Sequence, residues 1–378
     1  MDFPGSDHPQ VRAFIDDLSK DPSLPSVPAH FPHFDTLVIL GIGGPALCGR
    51  LLLSASQPKQ EVFFQNNLTS FHREWLSKQG NLSTVGILAL SKSGETLETL
   101  LEVQRFLDAF KQQHLSTSDH FLIATEPQSN TLRTLAQSHA LPILDLSAHI
   151  DGRFSLFSQT GQIIASLLEF DINTFRQGAQ EALTHFSKQS IQDLHRLFDS
   201  QNALQEHVLW TYDPHLLPLV EWWAQLIGES LGKQGKGFTP IVAIGPRDQH
   251  SQLQLYLGGP HNKFFTFLCT STHYKKIIKK AGKGKHSLDL KALKKLDLGD
   301  IVGLQMYAVM ETLKEEHIPA RLLYVNHKDV FQLGRVCMDL ILEVWVLGFL
   351  QGINPFGQPD VEKVKQRVWD LLRRVSHT

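Results

Sequence analysis

Cysteine is scarce. Three residues in 378, Cys48, Cys269 and Cys337, stand too far apart for a disulfide framework or a zinc-ligand spacing, which fits a reducing cytoplasm. An excess of one charge is missing as well. Lysine and arginine total 36 against 38 aspartate and glutamate, and a net charge of −2 argues against a protein built around nucleic acid. Long apolar runs are also lacking. The most apolar late stretch, CMDLILEVWVLGFL at 337–350, carries Asp339 and Glu343. It falls short of the roughly 20 residues a membrane span needs, so it reads as a buried helix. The opening MDFPGSDHPQ has no basic-then-apolar pattern, and no secretory leader is expected. Nineteen histidines show no H-E-x-x-H or similar spacing, so no metal is expected.

What remains is an ordinary globular composition, 42% apolar and 20% charged, in a chain long enough for two cores. Residues 1–34 are proline-rich and read as a short helix with an irregular lead-in. Strand-like runs then alternate with helical ones: DTLVIL from Asp35, EVFFQN from Glu61, TVGILAL from Thr84, HFLIAT at 120–125 and LPILDL at 141–146. After a helical stretch at about 160–205 a second set follows: HVLWTY (207–212), TPIVAIG (239–245), KFFTFLCT (263–270) and ARLLYVN (320–326). This rhythm predicts an α/β fold of two doubly wound, mainly parallel sheets in α/β/α sandwiches, with a C-terminal helical tail. The basic run at 275–295 reads as a solvated loop opening a helix, since aromatic residues do not interleave with it.

Two glycine turns and one acidic segment suggest chemistry. Gly41-Ile-Gly43-Gly44-Pro-Ala46 matches G-x-G-x-x-A between a strand and a helix. Glu61 lies twenty positions on, but it begins the next strand instead of ending it, which discounts nicotinamide binding. The turn is kept as a close backbone approach to some ligand. Ser91-Lys92-Ser93-Gly94-Glu95-Thr96 joins an apolar strand to a helix with apolar residues at Leu97, Leu100, Leu101 and Leu107. Three hydroxyls and a lysine at a helix amino end favour phosphate, whereas a plain helix cap needs one hydroxyl. There is no G-x-x-x-x-G-K-[ST], so a nucleoside triphosphate is not implied.

The segment Gly228–Pro260 combines Glu229 and His250 with glycine-rich backbone suited to gripping a polar ligand. Within it Gly228-Glu-Ser-Leu-Gly232 fits the hydrolase pattern G-x-S-x-G. A helix-like run, LLPLVEWWAQLI, stands where that motif needs a strand, so a nucleophilic Ser230 is disfavoured.

With these pieces in view the sequence closely resembles the glucose-6-phosphate isomerase (phosphoglucose isomerase) family, whose members carry two sugar-isomerase (SIS) domains. GIGG at 41–44, SKSGETLET at 91–99, GRFSLFSQTG at 152–161, GESLGKQGKG at 228–237, GPRDQHSQLQLYLGGP at 245–260 and NPFGQPDVEKVK at 354–365 occur in the family's order. The resemblance implies a first SIS domain at 35–168 with the phosphate loop and a second at 169–350 with the catalytic Glu and His. A C-terminal segment, 351–378, would follow. It makes Ser91, Lys92, Ser93 and Thr96 the phosphate loop, with Gly43, Gly44 and Gly152 beside the sugar. Glu229 would be the proton-transferring base, Arg153 the stabiliser of developing charge, and His250 with Lys365 the ring-opening pair; Gln358 would contact substrate. It further implies a cytoplasmic homodimer with His250 reaching the neighbouring subunit's site, and no metal or redox cofactor.

Singly, each of these residues has an unremarkable reading: a surface acid, a structural ion pair, a loop pin, a charge on an outer helix face. The alternative function is a sugar-phosphate-binding SIS regulator without catalysis, or an isomerase of broader sugar-phosphate specificity. A sensor needs the Ser91–Thr96 loop but no base, so Glu229, His250 and Lys365 together discriminate. The chain departs from the family pattern at Pro45, Glu95 and Asp151, and Glu95 is expected to face away from the anion.

Overall fold

The computed structural model describes residues 3–20, 27–68, 75, 80–186, 188–197, 204–270, 273–280 and 290–375. The first sheet contains β1 (Thr36–Leu40), β2 (Glu61–Gln65), β3 (Val85–Leu90), β4 (Phe121–Thr125) and β5 (Ile143–Asp145) in the order β2-β1-β3-β4-β5. The second contains β6 (Glu206–Thr211), β7 (Thr239–Ile244), β8 (Lys263–Cys269) and β9 (Ala320–Tyr324) in the order β7-β6-β8-β9. Every pairing in both is parallel. The α/β class with two parallel sheets is therefore as expected from sequence. β1, β3 and β4 are buried along their whole length, which explains why their residues are apolar on both faces and do not alternate with polar ones.

The helices that matter for the site are α1 (Pro9–Ser19), α2 (Gly44–Ser54), α3 (Leu97–Gln112), α4 (Thr131–Ser138), α5 (Gln159–Leu167), α6 (Ile172–His185), α7 (Leu217–Leu231), α8 (Leu298–Glu315), α9 (Val330–Leu350) and α10 (Pro359–Val375). Strand residues divide between layers by their period of two. Leu37 and Ile39 of β1 and Leu209 of β6 face one shared core with Trp222 and Trp223 of α7 and Trp345 of α9. Val38 and Leu40 turn instead to a core with Phe106 and Phe110 of α3. Val208 and Trp210 turn to a third core with Phe265, Phe267 and Met306. The shared layer fixes the two sheets relative to each other, so their turns can build one site.

Two expectations need correcting. Gly228–Leu231, the start of the segment read as glycine-rich backbone gripping a ligand, is the last turn of α7, because Leu226, Ile227 and Leu231 keep the buried face going past Gly228. The basic segment begins as a helix, His273–Lys280, although residues 281–289 lie outside the described ones. Of the predicted helical stretch at about 160–205, α5, α6 and the helix Lys188–Leu197 form, and 198–203 lie outside the described residues. The 337–350 run lies in α9 and is buried at Cys337, Met338 and from Leu340 to Gly348, and no described helix is long and apolar enough to cross a membrane.

Candidate active site

β1 lies between β2 and β3, so the chain leaves β1 towards one edge of the sheet and leaves β3 towards the other. A crevice opens at the carboxyl ends of such a pair, the usual ligand site of this sheet type. The turns after Leu40 and Leu90 lie there. Gly43 takes a φ of 68° to begin α2, a left-handed conformation that costs glycine little. A Cβ on Gly44 would overlap the carbonyl of Gly152, so the two backbones touch. That contact brings the first glycine turn to Gly152 and Arg153. On its other side, a Cβ at Gly43 would lie 3.2 Å from Gln225 Nε2 of α7.

The Ser91–Thr96 turn is held from within. Ser91 Oγ and Thr96 Oγ1 are 2.9 Å apart, the Gly94 amide donates to Ser91 O at 3.1 Å, and Ser93 Oγ accepts from the Glu95 amide at 3.3 Å. Thr96 precedes α3 but its side chain makes no capping bond. Lys92 Nζ lies 3.7 Å from Glu126. Glu95 accepts from the Thr131 amide and hydroxyl, each at 2.7 Å. Its charge is thus engaged by the amino end of α4.

Arg153 is the best-ligated side chain in the region. Its guanidinium donates to Ser230 Oγ at 2.8 Å, Glu229 Oε2 at 3.4 Å, Asp151 Oδ2 at 3.0 Å, Pro355 O at 2.7 Å and Gly357 O at 3.2 Å. Burial lowers its pKa, and the carboxylates of Asp151 and Glu229 oppose that shift, so the charge is kept at neutral pH. Its side chain is 1% exposed, whereas that of Glu229 is 29% exposed. The second oxygen of Glu229, Oε1, accepts from Gln225 Nε2 at 2.8 Å. The pair therefore offers an accessible carboxylate with a dry guanidinium behind it: a base beside a fixed positive charge.

Three contributors were not singled out in the sequence. Gln225 stands four residues before Glu229, one turn back on the same helix face, and that spacing was the available signal. Asp151, noted only as a departure, accepts from Arg153 and from the Gly357 amide at 2.9 Å. Lys233 donates to Asn354 O at 2.8 Å and Phe356 O at 2.9 Å. Ser230 sits inside α7, fully buried, with its hydroxyl on Arg153. This agrees with rejecting it as a nucleophile.

Other predicted residues lie apart from the cluster. His250 is exposed in the turn after β7, and among the described residues its side chain has no partner. Gln358 directly follows Gly357, whose backbone bonds both Arg153 and Asp151. Lys365 projects from α10, none of whose residues is buried, and pairs with Glu362 at 2.6 Å. Among the described residues no group of three or more His, Cys, Asp or Glu is arranged to hold a metal ion.

Comparison with known proteins bears on this arrangement. A family model described as phosphoglucose isomerase matches residues 25–241. A probable glucose-6-phosphate isomerase of Haloquadratum walsbyi is 30% identical over 355 residues, covering 91% of this chain and 81% of that protein. The glucose-6-phosphate isomerase of Campylobacter jejuni is 29% identical over 359 residues, covering 90% of this chain and 86% of its own. Among solved structures, a hypothetical protein of Thermus thermophilus superposes with a TM-score of 0.82 at 26% identity, over 97% of this chain and 91% of that one. A glucose-6-phosphate isomerase from Chlamydia trachomatis shares the fold, with a TM-score of 0.70 at 19% identity over 98% of this chain and 74% of that one.

Proposed function

This chain belongs to the phosphoglucose isomerase family, and on that basis we propose that Glu229 and Arg153 form the centre at which it interconverts D-glucose 6-phosphate and D-fructose 6-phosphate. The observation that carries this reading is the carboxylate of Glu229, partly exposed and braced on one oxygen by Gln225 and on the other by a buried guanidinium.

The chemistry asks for that combination. Aldose–ketose isomerisation moves one proton between C2 and C1 through a cis-enediol. A single carboxylate that reaches both carbons serves both halves, removing the proton at one and returning it at the other. Negative charge grows on the O1 and O2 oxygens as the proton leaves. A guanidinium already held in place meets that charge without reorganising at the moment of reaction. Ser91, Lys92, Ser93 and Thr96 hold the phosphate. Gly43, Gly44 and Gly152 bring main chain close to the sugar, and Gln358 closes over it from the segment after α9.

The sugar enters as a ring. His250 and Lys365 exchange protons with the ring oxygen and the C1 hydroxyl to open it. His250 does so from a second copy of the chain in a homodimer, a reading supported by its exposure and its lack of a partner within the described residues. The apolar stripe on α10, formed by Val361, Val364, Val368, Leu371, Leu372 and Val375, gives a second copy something to cover. Residues 35–168 and 169–350 act as the two SIS domains, each built on one of the sheets, with 351–378 as the appended segment. The reaction belongs to glycolysis and gluconeogenesis in the cytoplasm.

The test is direct. Purified protein is given fructose 6-phosphate, and glucose 6-phosphate is read by a coupled dehydrogenase, with mannose 6-phosphate offered in parallel. Turnover of fructose 6-phosphate supports the assignment. Binding without turnover would move the protein to the sensor class.

A further inference from the structure

We propose that Lys233 is a positioning residue: its ammonium, bonded to the carbonyls of Asn354 and Phe356, holds segment 354–357 in register against Arg153 and so sets the guanidinium's aim at Glu229. The pattern of bonds is the argument. Asn354 O and Phe356 O go to Lys233, while Pro355 O and Gly357 O go to Arg153. The segment, bent at Phe356 and with Gly357 at a φ of 70°, thus runs between two cations and gives alternate carbonyl oxygens to each. A slip of one residue would hand each cation the wrong set. Lys236 donates to Gln351 O at 2.8 Å and reinforces the same edge from the end of α9.

Nothing else described fills that place. Lys233 follows α7 by two residues, so it ties the tail to the helix that carries Glu229. The charged groups around it are Arg153, which opposes its charge, and Asp151 and Glu229, which favour it. Lys236 lies on its own loop, and His8, at the start of α1, stacks on Phe356 with ring centroids 4.9 Å apart. Partial burial and the neighbouring guanidinium lower the Lys233 pKa to about 8. Its bonds are therefore charge-assisted below that pH and weaken above it.

The inference rests on the isomerase reading only for its kinetic arm, and the experiment keeps the two apart. Wild-type protein, Lys233→Met and Lys233→Arg are compared in full-length form. In Lys233→Met, kcat for fructose 6-phosphate falls roughly tenfold to a hundredfold, the scale of a misplaced catalytic group, with KM within about threefold. Backbone amides at 354, 356 and 357 exchange faster. Wild-type kcat declines above pH of about 8, and this limb is absent from Lys233→Arg, whose charge does not titrate. A limb that persists in Lys233→Arg belongs to another group and overturns the inference. So does a Lys233→Met protein with wild-type kcat or unchanged exchange at 354–357. If Lys233→Met fails to fold by circular dichroism, the wild-type and Lys233→Arg pH profiles decide. If the wild type does not isomerise at all, the isomerase reading fails and the exchange comparison alone judges Lys233.

Discussion

Replacing Glu229 by glutamine separates chemistry from architecture at this site. The amide keeps the size of the carboxylate but adds two donors. With its oxygen towards Gln225, its NH2 would face the Arg153 guanidinium, donor against donor, across the present 3.4 Å contact. The amide therefore turns its oxygen to Arg153 and its NH2 to Gln225. Gln225 can answer, because its own Oε1 is buried without a partner and can swing round to accept. Both contacts survive in neutral form. The loss is one charge on a bond that was charge-assisted at both ends, about 1–3 kcal/mol, and Asp151 still balances Arg153. The protein stays folded. Catalysis has no such substitute: without a base, the rate falls by about 10²–10⁴, equivalent to roughly 3–5 kcal/mol of barrier. The assay is the coupled conversion of fructose 6-phosphate, with KM and a thermal melt alongside. The expected result is kcat reduced at least about a hundredfold, KM within a few-fold and a melting temperature lowered by only a few degrees. A variant that retained more than about a tenth of wild-type kcat would remove Glu229 from its role.

Gly44→Ala drives a methyl group into the Gly152 carbonyl, and because both partners are backbone the strain cannot be relieved by a rotamer; kcat and melting temperature should fall together, the latter by several degrees in a thermal scan. Lys92→Ala should raise KM for fructose 6-phosphate about tenfold with kcat little changed, since only phosphate anchoring is lost; an unchanged KM would take Lys92 out of the phosphate loop. Asp339 of α9 has its pKa raised from 3.8 to about 6, chiefly by burial, with Arg335 opposing and Glu343 and Glu181 adding to the rise. An acid whose folded pKa lies above its unfolded one makes stability fall as pH rises between about 4 and 6. Asp339→Asn should therefore raise the melting temperature at pH 7, by up to about 3 kcal/mol of stability, and leave it unchanged at pH 4, measured by calorimetry.

Much of the fold could be read from sequence because parallel strands advertise themselves. VGILAL and FLIAT are apolar on both faces, and they became the buried strands β3 and β4. LPILDL shrank to the three residues of β5, at the sheet edge where its partners run out. The turns after β1 and β3 were legible for the same local reasons, since strand, glycine and hydroxyl follow one another directly. The ligation of Arg153 was not. Its acceptors stand at 151, 229, 230, 355 and 357, a spread no periodicity records. Asp151 looked like an irregularity and proved to be a ligand of that arginine. Glu229 was taken for part of a flexible stretch because Gly228 and Gly232 flank it. Packing of Ile227 and Leu231 kept it helical instead, a tertiary effect that outweighs local propensity.

The reach of Arg153 to Pro355 and Gly357 also dictates when the molecule can come to life. A ribosome delivers residue 153 some two hundred positions before those carbonyls, so a nascent chain carries a guanidinium with nowhere dry to settle. The last bonds around Arg153 thus wait for residues synthesised some two hundred positions after it. A message cut short before codon 355 would leave both sheets' sequences present and the workplace between them unfinished.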